Sequence, residues 1–215
     1  MIKITEATVA GLNIKFRSEM PSAIIKWAID FAEKAIVTTN FRPYEAAILH
    51  ACVSVNPDID VIWCDTGYNT SNTYKCADKI IQQLRLNIDL YVPKKSTAYR
   101  DVQLGIPAVD DEKHAEFTHQ VKLEPFGRAM KNHQPDVWFT NLRKGQTALR
   151  NSLDIFSLGN DGMLKVSPFY HYSDEELDAY MNEHGLPNEF KYYDPTKALE
   201  NRECGLHVQA KADKS

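Results

Sequence analysis

Near the C-terminus, Glu203-Cys204-Gly205-Leu206-His207 sets a thiol beside a glycine, with an imidazole three positions on. Thiolate is the reactive form of cysteine, and a nearby imidazole or other cation lowers the thiol pKa. A cysteine on a terminal segment can reach into a site formed elsewhere and act there as a nucleophile. The same residues also fit a frayed, inert terminus, since chain ends are commonly disordered. Upstream segments carry complementary groups. Thr38-Thr39-Asn40-Phe41 puts hydroxyls and an amide where a strand gives way to a helix. Backbone N–H groups at a helix start favour an anion; ordinary capping is the alternative. Asp65-Thr66-Gly67-Tyr68 offers a carboxylate that can accept from ribose hydroxyls or an adenine amine, with Gly67 for the turn. A plain Asx turn would use the same residues. In the stretch from Asn141 to Arg150, Arg143 and Arg150 suit bidentate binding of phosphate or sulfate, with Gln146 between them. Lys144 there reads as a solvated face. Lys122, in Lys122-Leu123-Glu124-Pro125, reads as an exposed lysine or as one that neutralises a phosphate.

These groups follow segments that read as strands. An apolar stripe predicts a helix over Pro21–Lys34, then a short buried strand over Ala35–Thr39 and a helix over Pro43–Val55. Further strands are expected at Ile59–Cys64, Ile88–Val92, Val137–Thr140 and Met163–Val166. Helices are expected at Asn72–Leu84, Pro125–His133 and Ser173–His184, the last with Ser173 and Glu176 as a capping box. Lys94 to Thr118 reads as a polar connection. Strands alternating with helices predict right-handed crossovers and an α/β, doubly wound, mostly parallel sheet. Ligands bind such sheets at the carboxyl ends of the strands. The segments Thr38–Tyr44, Asp65–Asn69, Pro93–Thr97 and Asn141–Arg150 should therefore share one rim.

Composition bounds the rest. A chain of 215 residues with 43% apolar content can bury the core of a single domain. A formal charge of −4 argues against a duplex-binding surface, so no nucleic acid partner is expected. No signal-peptide pattern and no membrane-length apolar run are present, and the four cysteines form no CxxC, which points to a reducing, cytoplasmic setting. Cys52, Cys64 and Cys76 sit at apolar or helical positions and read as structural. Trp27, Phe31, Trp63, Trp138 and Met130 read as core or interface, and the histidines show no metal-ligand spacing.

Taken in order, these residues resemble the phosphoadenosine phosphosulfate (PAPS) reductase family. Matching segments are Asp58 through Tyr68, Lys122-Leu123-Glu124-Pro125 with Arg128-Ala129, Trp138-Phe139, Leu142-Arg143, Gln146 and Arg150. Glu203-Cys204-Gly205-Leu206-His207 matches the family's signature residue for residue, and the resemblance runs from about Ile36 to His207. It implies an adenine-nucleotide alpha-hydrolase-like domain over residues 1–190 and a mobile tail over 191–215 that carries the catalytic cysteine and closes over substrate. It implies that Cys204 attacks the sulfur of PAPS to form an S-sulfocysteine, and that thioredoxin or glutaredoxin then releases sulfite. His207 would orient or activate Cys204, or contact substrate. Thr38, Thr39, Asn40, Phe41, Asp65, Thr66, Gly67, Lys122, Arg143, Gln146 and Arg150 would bind the nucleotide. A homodimer is implied as well.

Relatives that act on adenosine phosphosulfate carry a 4Fe–4S cluster on a cysteine pair and a later CxxC. Here Thr118-His119-Gln120-Val121 holds no cysteine, and only Cys204 matches a family cysteine, so no iron–sulfur cluster and no other bound cofactor are expected. By family analogy this favours PAPS over adenosine phosphosulfate. Two departures stand out. Phe41 is followed by Arg42-Pro43 where the family has glycine, so Arg42 is a candidate replacement charge. The family's Gly-Tyr-x-Ser-x-Gly-Asp stretch is replaced by a short run from Asn188 through Asp194-Pro195-Thr196-Lys197 to Cys204. The other readings are an ATP-pyrophosphatase-like adenylating enzyme and a nucleotide-binding module without catalysis.

Overall fold

A computed structural model describes residues 4–159 and 161–197, so Cys204 and His207 lie outside the described residues. The chain opens with two helices, α1 (Glu6–Phe16) and α2 (Pro21–Phe31), before β1 (Ala35–Thr39) and α3 (Glu45–Val55). Then come β2 (Asp60–Cys64), α4 (Ser71–Leu84), β3 (Asn87–Tyr91), α5 (Thr97–Gln103) and α6 (His114–Thr118). A π-helical turn (His119–Leu123) leads into α7 (Glu124–His133) and β4 (Val137–Phe139). A 3-10 turn (Arg150–Ser152), β5 (Phe156–Leu158), β6 (Leu164–Val166) and α8 (Asp174–Glu183) complete the described order.

Among the described residues the strands form one six-stranded sheet in the order β3-β2-β1-β4-β6-β5. All pairs are parallel except β5 with β6. The inner strands are buried on both faces, as parallel strands covered by helices must be. Val37, Val61, Phe139 and Val166 pack in the larger core with residues of α2, α3 and α8. Ile36, Ile62 and Trp138 point the other way, onto Ala129 of α7 with Phe126 and Met130 alongside.

The sheet and the main helices fall where the hydrophobic pattern placed them, and Ser173 and Glu176 form the expected capping box. Several expectations need correction. Lys94–Thr118 is not a plain connection: it contains α5 and α6, both too short for a helical period to show. Strand β5, of three residues, was not expected. Helix α1 precedes the helix read as the first. Only Val9, Leu12 and Phe16 of α1 are buried, too sparse a stripe to stand out, though Thr5 caps it by accepting from Thr8 N. Pro43 does not open α3; the helix begins at Glu45 after Tyr44, whose φ of 67° is left-handed.

The aromatic face of α2 meets its own chain. Trp27 stacks on Phe31 at 5.5 Å and meets Phe156 edge-on at 5.3 Å, while Phe16 lies 5.5 Å from Phe156. This cluster fastens α1 and α2 to the antiparallel edge of the sheet. Phe156→Ala should therefore cost about 3–5 kcal/mol, the usual loss for a buried aromatic. In urea unfolding the midpoint should fall with an unchanged slope. A midpoint within error of wild type would show that β5 is not what holds the helices.

Candidate active site

Between β1 and β4 the chain connections leave in opposite directions, which opens a crevice at the carboxyl ends of the strands. A cavity of about 60 Å³ lies there, bounded by Thr38 and Thr39 of β1 with Asn40 after it, Cys64 of β2, and Thr140 and Asn141 after β4. That is far below the roughly 300–1,000 Å³ of a small-molecule site. Tyr192, Asp194 and Lys197, from the segment after α8, form one of its walls. A wider groove of about 520 Å³ adjoins it, lined by Arg143, Lys144, Gln146, Thr147, Ser173 and Asp174 among others. Arg42, Arg150 and Lys197 border both, so the two are parts of one depression.

The loop after β1 is organised by a buried carboxylate. Glu45 Oε2 accepts from Thr39 Oγ1 at 2.8 Å and from the Asn40 N–H at 2.7 Å. Its Oε1 accepts from Arg42 Nε at 2.7 Å, and the same guanidinium donates to the Asn141 carbonyl at 3.0 Å. Phe41 and Tyr44 take left-handed φ values of 54° and 67°, each an expense of about 1–3 kcal/mol for a non-glycine residue. Phe41 is held by packing edge-on against Trp63 at 4.8 Å, and Tyr44 N donates to Asn188 Oδ1 at 3.0 Å. Phe41 thus points into the core and lines neither cavity. Thr38, Thr39 and Asn40 do face the crevice, but the Asn40 N–H is already given to Glu45.

After β4, the Gln146 side-chain oxygen accepts from the Arg143 N–H at 3.1 Å and from Arg150 Nη1. Arg150 is 4% exposed, and its carbonyl accepts from Tyr170 Oη at 2.7 Å. Arg143 pairs with Asp174 at 2.5 Å and lies over the Tyr44 ring at 5.2 Å. Lys144 is exposed, as expected of a solvated face.

Lys122 is not an exposed lysine: it is 3% exposed. It sits in the π-helical turn, where the Glu124 N–H reaches back to the His119 carbonyl. Pro125, next in line, has no N–H to continue an ordinary helical ladder. The Lys122 ammonium pairs with Asp194 at 2.5 Å and donates to Thr196 Oγ1 at 3.4 Å. Asp194 Oδ1 also accepts from Thr196 N at 3.0 Å and Thr196 Oγ1 at 2.6 Å. Burial alone would raise the Asp194 pKa, but the Lys122 charge and these hydrogen bonds outweigh it and hold the carboxyl below its usual value. Cys64, on the cavity wall, is pushed the other way: burial lifts its thiol to about 12 despite the nearby Lys122 and Arg128 charges. At neutral pH it stays protonated and is no nucleophile.

The Asp65–Gly67 segment lies off the crevice. Asp65 accepts from the Gly67 N–H and Asn69 Nδ2 at 3.0 Å each, and from Tyr74 Oη at 3.0 Å. Thr66 Oγ1 accepts from the Tyr68 N–H at 3.2 Å. Gly67 has φ 80°, and a Cβ there would stand 2.4 Å from Thr97 Oγ1, so the turn does require glycine. Neither this segment nor Pro93–Thr97 lines the crevice or the groove, so the rim is narrower than expected.

A doubly wound sheet with its crevice at the switch point, bordered by several cations, defines an α/β protein of the nucleotide-binding class. A family model for the phosphoadenosine phosphosulfate reductase domain matches residues 34–193, and the chain belongs to that family. A phosphoadenosine 5′-phosphosulfate reductase of Synechococcus sp. is 30% identical over 84% of this chain and 78% of its own length. One from Xylella fastidiosa is 32% identical over 82% of this chain and 75% of its own length. Among solved structures, the phosphoadenylyl-sulfate reductase of Candida auris in a phosphate complex superposes with a TM-score of 0.76 at 23% identity, covering 87% of this chain and 90% of that one. The U34-tRNA thiolase of Methanococcus maripaludis, which carries a [4Fe-4S] cluster, superposes at 0.56 with 10% identity, covering 87% of this chain and 69% of that one. Both likenesses speak to the fold.

Glu45, Asn141 and Asp194 escaped the sequence reading. Glu45, three residues after Arg42, carried a spacing signal for a local ion pair. The contact between Lys122 and Asp194 bridges 72 positions and left no local trace. Because the folded-state pKa of Asp194 is depressed, the pair's contribution is complete above the unfolded value, near 4. It is lost as pH falls through the lower folded value. Hydrogen exchange of the Thr196 and Lys197 amides should therefore lose its protection, relative to free amides at the same pH, below about pH 4 in the wild type. In Asp194→Ala it should be fast already at neutral pH, with the sheet amides unchanged. Slow exchange in the variant would show that something else fastens the segment.

Proposed function

We propose that this chain reduces PAPS to sulfite and adenosine 3′,5′-bisphosphate, with Cys204 as nucleophile. Family membership over most of the chain and the names of its curated relatives support this reading. The observation that carries it in the structure is the cation-bordered groove that continues the switch-point crevice. Anionic oxygens need such charge, and a leaving bisphosphate is stabilised by it.

The chemistry balances with groups on this chain and one external reductant. The Cys204 thiolate attacks the sulfur of PAPS, and a sulfur–sulfur bond forms as the bond from that sulfur to the 5′-phosphate oxygen breaks. The bond's electron pair leaves on the phosphate, giving adenosine 3′,5′-bisphosphate and S-sulfocysteine. A thiolate of a thioredoxin or glutaredoxin dithiol then attacks Cys204 Sγ and expels sulfite. The second thiol closes the reductant's disulfide and frees Cys204, so two electrons pass in all. His207 assists Cys204, and no cluster or other resident cofactor takes part.

Arg150, on the border of crevice and groove, would hold an anionic oxygen, with Gln146 fixing its direction; Arg143 would act from the groove. Thr38, Thr39 and Asn40 would touch the nucleotide from the crevice wall. Delivery of Cys204 falls to the tail. It follows Lys197 by seven residues, a reach of at most about 25 Å when extended. Since Tyr192, Asp194 and Lys197 wall the small cavity, that segment has to lift before nucleotide enters and return with Cys204.

Reduced protein incubated with PAPS, without a dithiol, should gain a sulfo group on the Cys204 peptide in mass spectrometry. ATP should give none, and Cys204→Ser should lose both adduct and sulfite release while binding adenosine 3′,5′-bisphosphate within a few-fold of wild type. Sulfite production by the serine variant would remove the central claim. Arg150→Ala should weaken calorimetric binding of that bisphosphate by about tenfold to a hundredfold, the loss of one charged hydrogen bond. Unchanged affinity would place the anion site elsewhere.

A further inference from the structure

The Asn141 side chain is 6% exposed, faces the crevice, and its Oδ1 has no hydrogen-bond partner among the described residues. Its backbone is fixed from two sides: the carbonyl takes the Arg42 guanidinium, and the preceding Thr140 N–H donates to the Val166 carbonyl at 2.9 Å. The Thr140 hydroxyl meets Ser167 Oγ at 2.8 Å. An amide oxygen held this firmly in a buried place, and left without a donor, costs stability unless a ligand supplies one.

Polarity decides what that ligand group is. A phosphate or sulfate oxygen could take the Nδ2 of this amide but not its Oδ1, so the unpartnered oxygen calls for an N–H or O–H donor. The crevice around Asn141 also has apolar walls, from Ile62, Phe126 and Trp138, whereas the groove beyond Arg150 is lined by polar and charged side chains. The crevice also holds Arg42, Lys122, Arg150 and Lys197, so apolar surface for a nucleoside and charge for its anions lie side by side there. Asp65, the acceptor that the sequence offered for nucleoside donors, lies off this crevice and binds Gly67, Asn69 and Tyr74 mainly through Oδ1.

We propose that Asn141 is a specificity-determining residue whose side-chain oxygen accepts a hydrogen bond from a neutral donor of the bound nucleoside, either the adenine amine or the ribose 2′-hydroxyl. This deepens the proposed function and rests on it. The contact is made equally before and during reaction, so its loss raises KM for PAPS with little change in kcat.

Binding of three bisphosphates by calorimetry tests this: adenosine 3′,5′-bisphosphate, inosine 3′,5′-bisphosphate, which lacks the amine, and 2′-deoxyadenosine 3′,5′-bisphosphate, which lacks the hydroxyl. Wild-type protein should bind one of the two analogues about tenfold more weakly than the parent, and the weaker analogue identifies the donor. In Asn141→Leu, which keeps the volume, and Asn141→Ala, which does not, the parent should weaken by that same factor. The analogue's disadvantage should shrink to within about twofold. Equal binding of all three by wild type would overturn the proposal without recourse to any variant. So would full discrimination surviving in either folded variant. Failure of wild-type protein to bind any of the three would instead remove the proposed function itself.

Discussion

Parallel pairing on both sides of β1 is the constraint from which the site follows. A parallel neighbour can be reached only by a crossover, and the crossovers from β1 to β2 and into β4 leave on opposite sides of the sheet. The carboxyl ends of β1 and β4 are therefore left uncovered between diverging connections. Thr38, Thr39, Asn40, Asn141, Arg143 and Arg150 all lie at those ends or in the loops that follow them. The aromatic packing of α1 and α2 on β5, at the far edge, braces this arrangement and takes no part in it.

Charge at the crevice is stored in pairs. Arg42 is matched by Glu45, Arg143 by Asp174, and Lys122 by Asp194. An uncompensated charge held away from water is expensive, so a site built to receive anions needs internal counterions until the anions arrive. The pairs differ in how easily they can be exchanged. Glu45 is woven into its loop by hydrogen bonds to Thr39 and Asn40 and stays with it. Asp174 stands in the first, exposed turn of α8, where an incoming anion can compete for Arg143. Asp194 belongs to the segment leading to Cys204.

How much of this could be read from the sequence depended on the range of the interaction. The inner strands and long helices were legible because apolar periodicity is local and strong, and so was the capping box of α8. Cys204, Arg143, Gln146 and Arg150 stood out because their chemistry is uncommon in cores and their order matched a family. The exposed reading of Lys122 failed because its burial depends on a partner far along the chain and on a widened turn that no single residue announces. Asp65 looked like a ligand acceptor because its type and place at a strand end fit that role equally well. The geometry of Gly67, Asn69 and Tyr74 shows that its carboxylate also organises its own turn. Asn141 drew no attention because an asparagine after a strand is usual in turns. Its meaning lies in a missing partner, which composition cannot express.

Under the proposed function, the Lys122–Asp194 pair would couple the tail to the site through charge. With Asp194 docked, Lys122 faces its carboxylate and the crevice is small; if the segment lifts, as the proposed function requires, the Asp194 charge is taken away from Lys122. That state is unfavourable in the absence of ligand and becomes acceptable when a phosphate or sulfate group enters. Anion binding and tail release would then favour one another, since each relieves the cost of the other. On release of the bisphosphate, the Lys122 charge would favour the return of Asp194. On this argument the short segment from Asn188 to Lys197 serves two purposes: it carries the chain toward Cys204, and its one buried carboxylate holds the place of the substrate's negative charge.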